Sequence, residues 1–182
     1  MPDPTNLEAI MTDLVRSLRE INAADGYRNT VITVERTLRG PDDVVPQGSD
    51  GSNRTPLVGV APMPQETLSC QPGLRRKVMQ FEITGIVASE VASDNTNEWH
   101  VRTAADLIHD IERALMSTEP RSDGTVPLTR GGQAIGTKVL ATAHQLRVGV
   151  EEDEDATKEI QHATVWVALQ GECTYQVPIN ER

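Results

Sequence analysis

Aromatic side chains are scarce in this chain of 182 residues, at 3% of the sequence. There are five of them: Tyr27, Phe81, Trp99, Trp166 and Tyr175. Because base stacking needs several aromatic faces side by side, this composition argues against a stacking platform for single-stranded nucleic acid. The hydrophobic core must be built mainly from Val, Ile, Leu and Ala.

Positive charge is also in short supply. The chain has 17 Lys and Arg residues against 27 Asp and Glu residues, which gives a formal net charge of −10. A protein with this balance repels phosphates over most of its surface. The charge therefore argues against broad binding of DNA and against docking on an anionic membrane.

Cysteines and long apolar runs are equally limited. Cys70 and Cys173 lie far apart without metal-ligand spacing, and we expect both to be reduced in a cytosolic setting. No apolar run approaches the roughly 20 residues that a membrane span needs. Residues 1–4 lack the basic stretch and apolar segment of a secretory signal. These features predict a soluble, intracellular, acidic protein.

The common catalytic motifs are missing from the sequence. It contains no GxxxxGK[ST], GxGxxG, HExxH, GxSxG or CxxC pattern. No nucleophile, base and orienting group can be assembled from the remaining residues. The sequence therefore favours a binding or assembly module over an enzyme, with no cofactor and no metal.

Two amphipathic helices are predicted from apolar residues at three- and four-residue steps. The first ends before Gly26, and its apolar residues are Leu7, Ile10, Met11, Leu14, Val15, Leu18 and Ile21. The second runs from about Thr96 to Met116, with a stripe formed by Val101, Ala104, Ala105, Ile108, Ile111 and Leu115. Each helix should cover one hydrophobic surface.

Strands are predicted where β-branched or alternating residues recur, at residues 30–35, 57–61, 77–87, 139–150 and 160–170. Loops rich in Gly, Pro, Ser and Thr separate them at about 40–56 and 117–138, and the chain from Thr174 adds a short strand or an arm. We expect an α+β fold: a mostly antiparallel sheet of about four to five strands, with both helices packed on one face. Residues 1–182 should form a single domain.

The second helix carries a polar cluster of Asp106, His109, Asp110 and Arg113. Helical geometry places Asp106 and Asp110 opposite the predicted apolar stripe, with Arg113 near enough to neutralise charge. We interpret this cluster as a solvated, salt-bridged helix face rather than a metal site. A small metal-dependent hydrolase using Asp106, Asp110 and His109 is the competing interpretation.

Two histidines, His144 and His162, lie on adjacent predicted strands and could face each other across a hairpin. Two histidines alone do not complete a metal site of the usual structural kind. We interpret them as ordinary sheet residues.

Charged residues in and near the loops are the candidates for an assembly interface. The acidic run Glu151, Glu152, Asp153, Glu154 and Asp155 lies in a predicted hairpin turn without the alternation or glycine of a calcium loop. It is interpreted as a solvated turn, as a subunit contact, or as a channel lining that repels DNA. The other candidates are Asp42, Asp43 and Arg54 near the first long loop, and Glu112 at the rim of the second helix.

Several segments resemble the tail terminator proteins of long-tailed (siphovirus-type) bacteriophages. The resemblance rests on the end of the first helix at residues 21–27, the strand at 31–36, the alternating strand around 81–85, and the helix at 104–115 followed by a hairpin. It covers most of the chain, although the loop at 40–56 and the acidic run have no match in the family.

The resemblance implies a structural virion protein that assembles in the host cytoplasm as a ring, commonly a hexamer. Such a ring caps the tail tube, ends tube polymerisation and offers its other face to head–tail connector proteins, while DNA passes through without specific binding. A tail completion or head–tail joining protein of similar fold is the alternative within the virion.

Overall fold

The computed structural model describes residues 6–43, 54–71, 74–92, 95–116, 134–150 and 160–178, in which each of two helices is followed by a group of strands. In chain order the elements are α1 (Asn6–Arg19), β1 (Thr33–Glu35), β2 (Leu57–Gln71), β3 (Leu74–Ala92), α2 (Thr96–Met116), β4 (Ala134–Val150) and β5 (Ile160–Pro178). A short 3₁₀ turn, Ala23–Asp25, follows α1.

The five strands form one sheet in the order β1-β2-β3-β5-β4. Only β1 and β2 pair in parallel, whereas the other three pairings are antiparallel. Both helices pack against this sheet and share one hydrophobic core with it. The predicted α+β class is therefore confirmed.

The core lies between the helices and one face of the sheet, here called the inner face. Leu14 of α1, Leu107 of α2 and Phe81 of β3 are almost fully buried within it. The Phe81 ring crosses the neighbouring strand at Gly171, where an added Cβ would lie 2.2 Å from Phe81 Cζ. Glycine at this position lets the one phenylalanine of the chain fill the core.

The buried face of α2 differs from the predicted stripe. Val101 is 64% exposed and Ala105 is also exposed, whereas Leu107 and Ala114 are buried. At 100° per residue the buried face is rotated by about 75° from the predicted one. The reason is that α2 contacts α1 as well as the sheet, so its buried face turns towards the first helix. The apolar face predicted for α1 is buried except at Leu7, which is half-buried.

Four strands, β2 to β5, extend well beyond their predicted bounds because pairing with a neighbour overrides local composition. β2 continues past Pro62, and its register against β3 shifts between Pro62 and Gln65. Prolines are tolerated here because β1 pairs with β2 only as far as Gly59. β4 begins at Ala134, inside the predicted loop, because it pairs with the extension of β5 to Pro178.

The first predicted strand is shorter than expected. Residues 30–32 precede β1, and two of their backbone N–H groups bond outside any ladder. Val31 N–H donates to Ile21 O, just after α1, and Ile32 N–H donates to Pro56 O, both at 2.9 Å. The first bond attaches the segment to the residues just after α1, and the second attaches it to the residue before β2.

The opposite face of the sheet, here called the outer face, is partly covered. The alternation of apolar and polar residues in β3 predicts that only one face of the sheet is buried. Thr84 and Ile86 are buried there. The segment after β1 crosses this face: Arg39 N–H donates to Thr84 Oγ1 at 3.1 Å, and Trp166 Nε1–H donates to Arg39 O at 2.7 Å. An added Cβ on Gly59 would lie 2.2 Å from Thr37 O, so glycine permits this close crossing.

Parts of the two predicted long loops, residues 44–53 and 117–133, lie outside the described residues. Cys70 belongs to β2, and Cys173 is a buried cysteine on β5 that forms no disulfide among the described residues. Within the described ranges, neither helix combines the length and apolar character required to cross a bilayer.

Replacing Leu14 with Asp tests the predicted helix–sheet core. Leu14 is fully buried, so the substitution places a charge in an apolar contact and should lower the free energy of unfolding by several kcal/mol. Denaturant unfolding measures the loss. The control is Thr12→Asp on the exposed side of the same helix, which should change stability by less than about 1 kcal/mol. Similar stabilities for the two variants would contradict this core.

Candidate assembly surface

The polar cluster on α2 is built around a buried carboxylate rather than a solvated face. Asp110 is fully buried. Its Oδ2 accepts from Asn29 N–H at 2.7 Å and from Asn29 Nδ2 at 2.8 Å, and both its oxygens lie 3.1 Å from Arg28 N. These donors satisfy a carboxylate that would be costly to bury alone. The prediction that Asp110 lies on the solvated side of the helix is therefore wrong.

Neighbouring residues attach the same turn to α2. Arg28 forms an ion pair with Asp106, and Arg113 Nη1 donates to Gly26 O at 2.6 Å. The Arg113 guanidinium also lies 4.5 Å from the centre of the Tyr27 ring, within cation–π range. Residues 26–29, which lead from the 3₁₀ turn towards β1, are thus held on α2 along two helical turns. We call residues 26–29 the docked turn.

This arrangement gives the acidic residues of α2 a role in the fold. Asp110 has its oxygens occupied by backbone and amide donors, and Asp106 is paired with Arg28 and approached by Arg102 at 3.8 Å. His109 is exposed on the helix. Across the described part of the chain, no group of three or more His, Cys, Asp or Glu side chains is placed to hold a metal. The geometry supplies no support for the hydrolase interpretation.

The spacing of apolar residues around Asp110 indicates its burial, but only when the buried face of α2 is known. Leu107 and Ala114, three residues before and four after, are both buried, so they flank Asp110 on one face. The predicted stripe left out both residues. An acidic residue between two apolar neighbours at helical spacing then indicates a buried carboxylate with local donors.

The histidines pair differently from the prediction. β4 and β5 are adjacent and antiparallel as expected, but His144 lies opposite Val167 and His162 lies opposite Gly149. His144 instead contacts His100 of α2, with its Nδ1 3.3 Å from His100 Nε2 and ring centroids 5.2 Å apart. Burial, and to a smaller degree the charge of His144, lower the pKa of His100. Near neutral pH this favours the uncharged imidazole.

The four predicted interface residues that the structure describes do not form one surface. Asp42 and Asp43 are exposed after the segment that crosses the outer face, where Asp43 Oδ2 accepts from Gly40 N–H at 2.6 Å. Arg54 is exposed ahead of β2, whereas Glu112 is half-buried on α2, in the layer on the opposite side of the sheet. Glu151, Glu152, Asp153, Glu154 and Asp155 lie outside the described residues.

Long open sheet edges are the feature that charge-based prediction missed. Among the described strands, β4 pairs only with β5, and β2 beyond Gly59 pairs only with β3. Residues 60–71 and 134–150 therefore form two edges of the sheet, on opposite sides, where no other described strand pairs with the outward-facing backbone groups. Backbone groups along such edges can accept a further strand. The prolines of β2 were the available sequence signal, because proline is tolerated at edges.

A groove of about 580 Å³ crosses the sheet between these edges, over β3 and β5. Three partly exposed apolar side chains contribute to it: Met63 of β2, Met116 of α2 and Leu140 of β4, which is 70% exposed. Glu82 and Glu172 also line it. Apolar surface next to an open strand edge is typical of a contact surface.

Neither a scan of protein-family models nor a search of curated proteins gives a match to this chain. The functional argument therefore rests on the residues and their geometry.

Replacing Asp110 with Asn tests the docking of the turn on α2. The substituted amide keeps one acceptor oxygen but turns an NH₂ group towards backbone donors. We expect a loss of about 1–3 kcal/mol in the free energy of unfolding, measured by denaturant titration. The matched control is Asp106→Asn, which removes a partly exposed ion pair and should cost less than about 1 kcal/mol. A larger loss in the control than in Asp110→Asn would contradict the assigned roles.

Proposed function

We propose that this chain is a structural virion protein that assembles as a ring. The family it resembles suggests a ring of six subunits. The ring would cap the tail tube of a long-tailed phage, stop addition of tube subunits and provide a surface for head–tail connector proteins. The resemblance of its helices and strands to tail terminator proteins suggests this role. The observation that carries it is the pair of long open sheet edges on opposite sides of the fold.

Edges on opposite sides favour a head-to-tail contact between copies. Residues 134–150 of one copy can meet residues 60–71 of the next, because both present unpaired backbone among the described strands. A contact between two different surfaces repeats from copy to copy, and it closes into a ring when the rotation allows. Exposed Leu140 and Met63 would add apolar area to such a contact.

The charge balance supports a ring around a DNA channel. A net charge of −10 gives the assembly a field that repels phosphates. A lining of this kind would let DNA pass without holding it. Such a ring would assemble in the host cytoplasm and remain in the tail of the finished virion.

Two edge substitutions test the assembly. Leu140 and Ala143 are exposed on β4, so the double substitution L140K/A143K should preserve folding. It places two positive charges along the edge strand, and natural proteins use such charges to prevent pairing with another strand. Size-exclusion chromatography with light scattering should give a ring-sized species for the wild type and a monomer for the variant. Electron microscopy of the wild type should show rings.

The matched control carries the same charges on a helix. Val101 and Ala105 are exposed on α2, so V101K/A105K should assemble like the wild type. A wild-type monomer at all concentrations would contradict ring assembly. Rings formed equally by L140K/A143K would show that β4 is not the contact. Added to polymerising tube protein, the wild type should limit tube length, and a ring that leaves length unchanged would argue against capping.

A further inference from the structure

The contact between His100 and His144 joins α2 to the outermost strand of the sheet. His100 lies in the first half of α2, and His144 lies near the middle of β4. The rings are tilted by 56° to each other, with His144 Nδ1 and His100 Nε2 3.3 Å apart. His144 is exposed and His100 is half-buried, so the pair lies at the protein surface.

This separation suits two ligands of one metal ion. Imidazole nitrogens bind Zn²⁺ at about 2.0–2.1 Å, so two of them at a tetrahedral angle lie about 3.4 Å apart. The 3.3 Å between the two ring nitrogens, which share a hydrogen bond without metal, matches that spacing. A bound ion takes the place of the shared proton, which moves to the other ring nitrogen of its histidine. Neutral imidazole is the form that binds metal.

We propose that His100 and His144 form a binding site for a divalent transition-metal ion of the zinc type. The ion binds His100 Nε2 and His144 Nδ1, and water completes its coordination. Within the described residues no third His, Cys, Asp or Glu joins the pair, so the site is open rather than the closed four-ligand type. Bound metal links the edge strand β4 to α2, and this inference stands whether or not the chain forms rings.

Zinc titration of the untagged full-length chain, after chelator treatment, tests the site. Isothermal titration calorimetry should show one Zn²⁺ per chain. H100Q and H144Q should each weaken binding by at least about tenfold, since even residues that only support metal ligands contribute tenfold or more. H109Q is the matched control, because His109 is an exposed histidine of the same helix, and it should bind Zn²⁺ like the wild type.

The ring nitrogens report the site directly, even if a variant folds poorly. In NMR spectra of the wild type, Zn²⁺ should shift the signals of His144 Nδ1 and His100 Nε2 and leave those of His109 unchanged. The proposal is overturned if the wild type binds Zn²⁺ no better than the H100Q/H144Q double variant. It is equally overturned if H109Q loses binding to the same extent, or if zinc leaves the two ring nitrogens unchanged.

Discussion

The pairing of β3 with β5 is the constraint on which the rest of this structure depends. The two strands of 19 residues each run antiparallel along their whole length, from Leu74 opposite Pro178 to Ala92 opposite Ile160. Their inner faces supply Phe81, Ile83, Val167 and Leu169 to the core, which both helices cover. Because the partners lie far apart in the chain, this ladder can form only when the fold as a whole comes together.

The docked turn is a second constraint on the fold, because it connects the end of α1 to α2. Asp110 receives the backbone N–H groups of Arg28 and Asn29, and Arg113 reaches Gly26 O from the next helical turn. Asp106 and Asp110, which the sequence offered as candidates for a hydrolase site, thus fix the path of the chain from α1 to β1. A buried carboxylate with several short donors specifies one geometry for that connection, which apolar contacts alone would leave less defined.

The surfaces with functional potential lie elsewhere, at the margins of the sheet. β4 contributes Leu140 to the groove, His144 to the histidine pair and a 17-residue edge that pairs with no other described strand than β5. Strand assembly and metal binding would therefore act on the same element. An ion bound between His144 and His100 would hold this edge against α2 and limit the freedom with which it meets another strand.

The sequence by itself determined the elements whose signals are local. The period of α1, the bounds of α2 and the alternation of β3 follow from residues close in the chain, and they led to the correct α+β class. Only the packed structure fixes the strand lengths, because Pro62 and Gly136 indicate breaks in a strand until a neighbouring strand pairs with them. It also decided which side of α2 is buried, since that depends on α1 and on the docked turn. The burial of Asp110 follows from that packing, since its spacing from Leu107 and Ala114 becomes informative only when the buried face of α2 is known. The contact of His100 with His144, 44 residues apart, follows from the same packing.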